Sequence, residues 1–344
     1  MHTRIHHPAE VPARDLDRYL RLGWYRIGQA MVTCRFVWAG GTALRDAVWT
    51  RTDLSAYQPR KSHRRLHRRN RAVFSVTEGP LVVDEEHEQL YTRYLTVAQG
   101  QRPETLAGAL HGGTPLDRFD TRELALRDAD GKLVGFCAFD VGEESLQSLM
   151  GVYDPMHRRH GLGFWTLLLE VEHALSLGLR YHYAGYVLPG DPSMDYKLRV
   201  GAMEFMDPDS GKWRPWTDFE RIRLPTVRLE EALATAADAV RNEGLDCVVT
   251  DYRFHEVGAW NPQLGRTLAH PRVVRIDHPS DRGWDLLVAR DLDRHCYELI
   301  IALRAEGRTP AEPPEVVQLW MVAERLGTFE SAARVAEVAA SRLK

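Results

Sequence analysis

Residues 146–188 read LQSLMGVYDPMHRRHGLGFWTLLLEVEHALSLGLRYHYAGYVL, and their pattern specifies the core of the fold. An apolar run at each end of it predicts two strands. Between them, apolar residues at helical spacing and a closing Gly178 predict an amphipathic helix. The turn at 158–163 carries two arginines and two glycines just before that helix. Because the first N–H groups of a helix lack partners within it, the turn is a candidate anion site.

The sequence upstream extends this pattern into a sheet. Residues 123–127 and 133–139 are strand-like and flank Asp130-Gly131, a strong hairpin signal. Together with residues 146–188 they resemble the core of the acetyltransferase-like fold known as GNAT. We therefore predict an α+β protein with a GNAT-like mixed, mostly antiparallel sheet flanked by helices. In that fold the arginine turn typically holds the pyrophosphate of acetyl-CoA, and a plain surface turn is the alternative.

A second motif is the basic block at 60–71, RKSHRRLHRRNR. Seven of its twelve side chains carry a fixed positive charge, whereas the chain as a whole has a net charge of -3. On a helix, Arg60, Arg64, Arg68 and Arg71 form one stripe, and Lys61, Arg65 and Arg69 form a second stripe beside it. Like charges at this spacing destabilise an isolated helix. Phosphate binding would offset that cost, and a solvated surface helix is the alternative.

Length and composition predict two or three domains. We expect an N-terminal region with the basic helix at 1–75, a GNAT-like domain at 76–218, and a small α/β appendage at 219–344. In the appendage, helices are expected at 229–241 and 314–344, and strands at 245–250 and 286–289. Nothing in the sequence resembles a signal peptide or a membrane span, and the four cysteines are widely spaced, so a reducing cytoplasmic location is expected.

Three ordered stretches of this chain resemble the arginyl- and leucyl-tRNA–protein transferases of the N-degron pathway. The first is Gly23-Trp24-Tyr25-Arg26-Ile27-Gly28 followed by the basic block. The second runs from Tyr153-Asp154-Pro155 through the arginine turn. The third combines Tyr181–Tyr186, Met194-Asp195-Tyr196-Lys197 and Trp213-Arg214-Pro215. The resemblance spans about residues 15 to 218, and it implies a GNAT-type fold that uses aminoacyl-tRNA in place of acetyl-CoA.

The chain departs from that family in two places. The family usually carries a metal-binding cysteine cluster before the basic block, where this chain has Cys34 alone. One cysteine cannot hold a metal by itself, so no metal site and no cofactor beyond the aminoacyl-tRNA co-substrate are predicted. After Lys197, the family's Gln-Tyr-Arg-Pro-like run is replaced by Leu198–Glu204. Both changes leave the identity of the acceptor open. It is either a protein N-terminus or a small-molecule amine or hydroxyl in a biosynthetic pathway.

The resemblance assigns roles to particular residues. The tRNA-binding residues are predicted to be Arg60, Arg64, Arg65, Arg68, Arg69, Arg158, Arg159, Gly161 and Gly163. The catalytic candidates are Asp154, Tyr183, Tyr186 and Lys197. Tyr183 and Tyr186 are expected on one face of a strand, with core packing as the alternative. Asp154 is either a general base or the cap of the arginine turn, and Asp195 and Glu204 are weaker base candidates.

The predicted reaction is direct attack by the acceptor on the aminoacyl ester, since an ester is already activated and needs no enzyme nucleophile. Lys197 is expected to stabilise the oxyanion or to contact phosphate. Two other functions fit parts of the sequence. An acetyl-CoA-dependent GNAT N-acetyltransferase would explain the arginine turn but not the basic helix. A non-catalytic tRNA-binding protein would explain the basic helix and would bind charged and uncharged tRNA alike.

Overall fold

We describe a computed structural model of the chain, covering residues 2–40, 42–98, 100, 102–114, 117–220, 224–278, 283–308 and 316–343. Its strands are β1 (Thr3–His6), β2 (Tyr25–Ile27), β3 (Ala30–Cys34), β4 (Phe36–Ala39), β5 (Ala43–Asp46), β6 (Val48–Asp53), β7 (Ser75–Pro80), β8 (Thr121–Arg127), β9 (Leu133–Val141), β10 (Ser145–Tyr153), β11 (Tyr181–Val187), β12 (Met203–Met206), β13 (Trp213–Pro215), β14 (Cys247–Asp251), β15 (Arg272–Ile276), β16 (Trp284–Asp291), β17 (Cys296–Arg308) and β18 (Val316–Phe329).

The helices are α1 (Ala13–Arg21), α2 (Lys61–Arg71), α3 (Glu85–Leu95), α4 (Leu106–His111), α5 (Leu162–Ser176), α6 (Pro192–Asp195), α7 (Pro225–Asn242), α8 (Val257–Trp260) and α9 (Ala332–Leu343). Within the described ranges, no helix combines the length and apolar character needed to cross a bilayer.

The chain divides into two compact units. Unit 1 comprises residues 1–4, 34–46 and 220–344, and unit 2 comprises residues 5–33 and 47–219. The boundary expected at residue 75 falls inside unit 2, because β6 pairs with β11 and β12 of the same sheet. The expected appendage at 219–344 also takes in the β4–β5 hairpin, because the fully buried Phe36 packs against Leu229 and Leu233 of α7.

Unit 2 is built on an eight-stranded sheet with the order β13-β12-β6-β11-β10-β9-β8-β7. Only the β10–β11 pair among these neighbours is parallel, so the predicted mixed, mostly antiparallel α+β sheet is confirmed. Successive side chains of β9 point to opposite faces of the sheet, since Phe139 packs with α5 and Ala138 packs with α3 and α4. The predicted strand–turn–helix–strand of residues 146–188 is therefore the centre of this sheet and its covering helix.

Unit 1 is a five-stranded antiparallel sheet in the order β14-β15-β16-β17-β18. Helices α7 and α9 cover one face through Leu233, Val240 and Val335. The expected helix at 229–241 and the two expected strands are confirmed. The prediction of helices across 314–344 is wrong for 316–329, which form β18 along the full length of β17. Residues 314 and 315 lie outside the described part of the chain.

Candidate active site and nucleic-acid interface

The basic block folds as the predicted helix, α2, which begins at Lys61. Its inner face consists of His63 and Asn70, both buried, with Leu66 packed against the core between α5 and the sheet. The outer face carries the exposed cations of the block: Lys61, Arg64, Arg65, Arg68, Arg69 and Arg71, with Arg60 exposed just before the helix. Burial of the neutral face therefore fixes the direction in which the positive charge points.

The arginine turn at 158–163 begins within a 3-10 turn over Pro155–His160 and leads into α5. Arg158 and Arg159 are exposed on it. Gly161 joins the turn to α5 with φ +64, in the left-handed region where glycine is favoured. Gly163 lies in the first turn of α5, where N–H groups have no helical partner. This combination of free N–H groups and two arginines suits a phosphate.

The two motifs meet at the main-chain carbonyl of His160. Arg69 donates to it at 2.6 Å and the side-chain amide of Asn70 donates at 3.0 Å. Within the described chain, the side chains of Arg65, Arg68 and Arg158 make no hydrogen bond or ion pair, so their charge is uncompensated. Two stretches 90 residues apart thus form one cationic surface.

A tyrosine-lined site surrounds Lys197, which lies in a 3-10 turn over Tyr196–Arg199. Its ammonium donates to the main-chain carbonyl of Tyr186 at 3.0 Å. Burial, followed by repulsion from Arg102, lowers the pKa of Lys197 to about 8. Tyr196 lies alongside, and burial raises its pKa to about 12. An amine with this pKa changes its charge near physiological pH, which is uncommon for lysine and typical of functional sites.

Contacts connect this site to the cationic surface. The Tyr153 ring lies against Gly163, where an added Cβ would come within 3.0 Å of it. Tyr153 also packs edge-on against Tyr94, with ring centroids 5.6 Å apart. On the other side, the Arg199 guanidinium lies 4.5 Å from the centroid of the Phe164 ring in α5. The first turn of α5 therefore contacts Tyr153 on one side and, on the other, Arg199 of the 3-10 turn that holds Lys197.

Tyr183 and Tyr186 lie on the same face of β11, as predicted, although they are three positions apart in the sequence. Tyr183 contacts Arg51 and Tyr186 contacts Trp49, and these two partners alternate with Thr50 on β6. The register between β11 and β6 shifts between His182 and Gly185, and this bulge restores the common face. Tyr183 is only 5% exposed and its hydroxyl is bonded to Arg51 at 3.2 Å, so it packs in the core.

The acidic candidates differ in how free their carboxylates are. Asp154 is buried, accepts from the Met156 N–H at 3.0 Å and pairs with Arg93 at 2.8 Å, so the capping alternative is confirmed. Glu204 pairs with Arg51 at 2.6 Å. Asp195 keeps a buried Oδ1 without a hydrogen-bond partner in the described structure. Asp195, next to Tyr196 and Lys197, is consequently the acidic group with spare acceptor capacity.

Several residues of the site were not singled out from the sequence. Tyr25, Trp49, Tyr94 and Tyr153 reach it from four separate stretches of the chain. The sequence feature that these residues share is an aromatic side chain inside or beside a family-like motif. This feature does not distinguish a site residue from a core residue. Cys34, the single cysteine where the family usually carries its cluster, is the last residue of β3, and β4 and β5 pair just after it. Among the described residues, no group of three or more His, Cys, Asp or Glu side chains is placed to hold a metal.

The comparisons with known proteins agree with these motifs. Residues 86–207 match the family model described as "Arginine-tRNA-protein transferase, C terminus". The aspartate/glutamate leucyltransferase of Leptospira interrogans is 30% identical over 222 residues, covering 62% of this chain and 83% of that protein. The chain belongs to the arginyl-/leucyl-tRNA–protein transferase family. It is thus an aminoacyl-tRNA-dependent aminoacyltransferase.

Two further matches cover less of this chain. The aspartate/glutamate leucyltransferase of Ruegeria pomeroyi is 34% identical over 175 residues, covering 49% of this chain and 62% of that protein. Among solved structures, L-PGS from Bacillus licheniformis aligns over 43% of this chain and 49% of its own, with 12% identity and a TM-score of 0.32.

Proposed function

We propose that this transferase moves the aminoacyl group of a charged tRNA directly to an acceptor amine, on a GNAT-like scaffold formed by unit 2. The observation that carries the proposal is the shared carbonyl of His160, which joins the basic helix to the arginine turn. A surface of this kind neutralises several phosphates at once. We assign the acceptor-stem phosphates to Arg65, Arg68 and Arg69, and the terminal phosphates to Arg158, Arg159 and the 161–163 turn.

In this reaction, the neutral acceptor nitrogen attacks the ester carbonyl carbon and forms the new N–C bond. The carbonyl oxygen becomes an oxyanion, and the Lys197 ammonium stabilises it. The tetrahedral intermediate then expels the ribose oxygen of the terminal adenosine. Asp195 takes the proton from the attacking nitrogen, and that proton finally passes to the departing ribose oxygen. No further cofactor takes part, because the ester supplies the activation.

The neighbouring tyrosines supply the walls of the site. Tyr186, Tyr196 and Tyr153 are each partly exposed, so their rings are accessible to a bound adenine or to an apolar aminoacyl side chain. The relatives are named as leucyltransferases of aspartate and glutamate. Leucyl-tRNA and a protein N-terminal Asp or Glu are therefore the donor and acceptor we propose first, with a small-molecule amine or hydroxyl second.

The proposal is tested by incubating the purified protein with individually charged tRNAs and acceptor peptides that begin with Asp, Glu, Arg or Ala. Mass spectrometry of the peptides detects a gain of one aminoacyl residue, expected with leucyl-tRNA and the acidic peptides. Lys197→Met is the inactive control, and acetyl-CoA replaces the tRNA in a parallel arm. The proposal would be refuted if no acceptor peptide is modified and every aminoacyl-tRNA ester is hydrolysed no faster than in buffer alone. Acetylated peptide in the parallel arm would favour an N-acetyltransferase.

A further inference from the structure

Strands β10 and β11 separate soon after they begin to pair. Their parallel register runs only from Ser145–Tyr181 to Gln147–Tyr183, although β10 continues to Tyr153 and β11 to Val187. From residue 148 onward, the backbone N–H and C=O groups on the facing edges of β10 and β11 are not hydrogen-bonded to each other. Buried backbone groups need partners, so something other than the neighbouring strand has to occupy this gap.

The side chain of Tyr25 occupies it. Its hydroxyl donates to the main-chain carbonyl of Ser148 on the β10 side. On the β11 side, a Cβ added to Gly185 would meet Tyr25 Cε2 and Cζ at 3.2 Å and its hydroxyl oxygen at 3.3 Å. Gly185 has φ +86 and its carbonyl accepts from Thr50 Oγ1 at 2.7 Å. The tyrosine therefore bridges the two separated strands at the bulge of β11.

Tyr25 also lies at the start of a short series of contacts that ends at Lys197. Its ring packs on Trp49 with centroids 5.5 Å apart, and Trp49 packs edge-on against Tyr186 at 5.4 Å. Tyr186 directly follows Gly185, and its carbonyl accepts from Lys197 Nζ. A contact that fixes the position of Gly185 therefore also restrains the Tyr186 carbonyl oxygen, which accepts from the Lys197 ammonium.

The Tyr25 hydroxyl is suited to a positioning role because it stays protonated. Burial, with a further contribution from the Glu170 carboxyl, raises the pKa of Tyr25 far above its ordinary value. Glu170 itself is buried and paired with His182 at 3.0 Å beneath the sheet. A neutral donor wedged between two strands gives a geometry that does not change with pH across the working range of the enzyme.

We propose that Tyr25 is a positioning residue for aminoacyl transfer: by bridging Ser148 and Gly185 it holds the Tyr186 carbonyl, and through it the Lys197 ammonium, in register with the ester. This inference rests on the proposed function, in which Lys197 stabilises the oxyanion. It adds a residue of the Gly23–Gly28 motif to the catalytic apparatus.

The test compares Tyr25→Phe with Tyr19→Phe. Tyr19 is a partly exposed tyrosine of α1 whose hydroxyl bonds to His6, away from the gap, so the control removes a comparable hydroxyl. Aminoacyl transfer and the titration of Lys197 are measured on each full-length protein. The second readout needs no substrate: the five lysines are labelled with acetic anhydride at a series of pH values, and each labelled peptide is quantified by mass.

For Tyr25→Phe we expect kcat to fall about tenfold, the effect of losing one well-placed hydrogen bond, with the KM for aminoacyl-tRNA unchanged. We also expect Lys197 to titrate at lower pH than in the wild type, because a loosened Tyr186 carbonyl stabilises the ammonium less. Tyr19→Phe should match the wild type in both measurements. Unchanged Lys197 titration or unchanged kcat in Tyr25→Phe overturns the inference, whereas a wild-type protein with no transfer at all refutes the proposed function instead.

Discussion

Asn70 is fully buried, and its side-chain amide donates to the main-chain carbonyl of His160 at 3.0 Å. This bond, together with that from Arg69, attaches the inner face of α2 to the arginine turn. The carbonyl lies one residue before the left-handed Gly161, so the bond also supports the entry to α5. The neutral Asn70 amide thus holds together the two parts of the cationic surface, α2 and the arginine turn.

Asn70→Ala should remove that bond and leave the His160 carbonyl dependent on Arg69. We expect a loss of about 1–3 kcal/mol in the free energy of unfolding, measured by urea denaturation. Affinity for tRNA should also fall, because α2 and the arginine turn would no longer be held together. Ser62→Ala, at an exposed position of the same helix, is the matched control. Equal stability of the two variants would show that the bond contributes nothing.

Arg65→Ala combined with Arg68→Ala should weaken tRNA binding at low salt. Each uncompensated cation that contacts a phosphate contributes about 0.7–0.9 to the slope of log K against log salt concentration, so the double variant should lose about 1.4–1.8. Lys132→Ala, in the β8–β9 turn, removes an exposed charge elsewhere and should leave the slope unchanged. Binding curves at several salt concentrations give the slopes. If the double variant keeps the wild-type slope, α2 does not contact tRNA.

Lys197 should be half-labelled by acetic anhydride near pH 8. Because the folded pKa of Lys197 is lowered, the ammonium to which we assign oxyanion stabilisation is lost as pH rises through about 8. Single-turnover transfer should consequently decline above that pH. Lys197→Arg keeps the charge and should lose this alkaline decline. A Lys197 that titrates with the other lysines would contradict the prediction.

Gln147 is fully buried, and neither atom of its side-chain amide has a hydrogen-bond partner in the described structure. Its cross-strand neighbours are Asp140, paired with Arg26, and Tyr183, bonded to Arg51. Methionine has nearly the same shape as glutamine but carries no amide that needs a hydrogen-bond partner. The free energy of unfolding of Gln147→Met should therefore be about 1–3 kcal/mol higher than that of the wild type. Gln89→Met on the exposed face of α3 is the control. A destabilised Gln147→Met would instead indicate that a bound water or ligand satisfies the amide.

Unit 1 should lose stability in mild acid through His255. Burial, followed by the nearby His270, lowers the pKa of His255 to about 4. The unfolded histidine binds its proton near pH 6.5, so stability is complete above that value and falls as pH drops towards about 4. The full difference is about 3 kcal/mol. His255→Leu should flatten this dependence in urea titrations followed from pH 7 to pH 4, and an unchanged dependence would assign it to another group.

The local elements of unit 2 could be predicted because their patterns repeat within short stretches. Apolar spacing over 162–176 specifies α5, and Asp130-Gly131 specifies the hairpin of β8 and β9. The segment 316–329 was mistaken for a helix because its apolar residues fit either period over a few turns. Pairing with β17, the preceding strand, decides in favour of the strand, and this contact lies outside the segment itself.

The basic helix, the arginine turn and the Met194–Lys197 stretch, to which we assign the charged tRNA, are recognisable from the sequence because each is a continuous stretch with a characteristic charge and spacing. Which side chains of these stretches remain without partners depends on the tertiary structure. Asp154 is committed to a cap and an ion pair, Tyr183 to the core, and Tyr25 to the gap between β10 and β11. The reason is physical, since burial and hydrogen-bond partners come from residues far apart in the chain, and they set both accessibility and pKa.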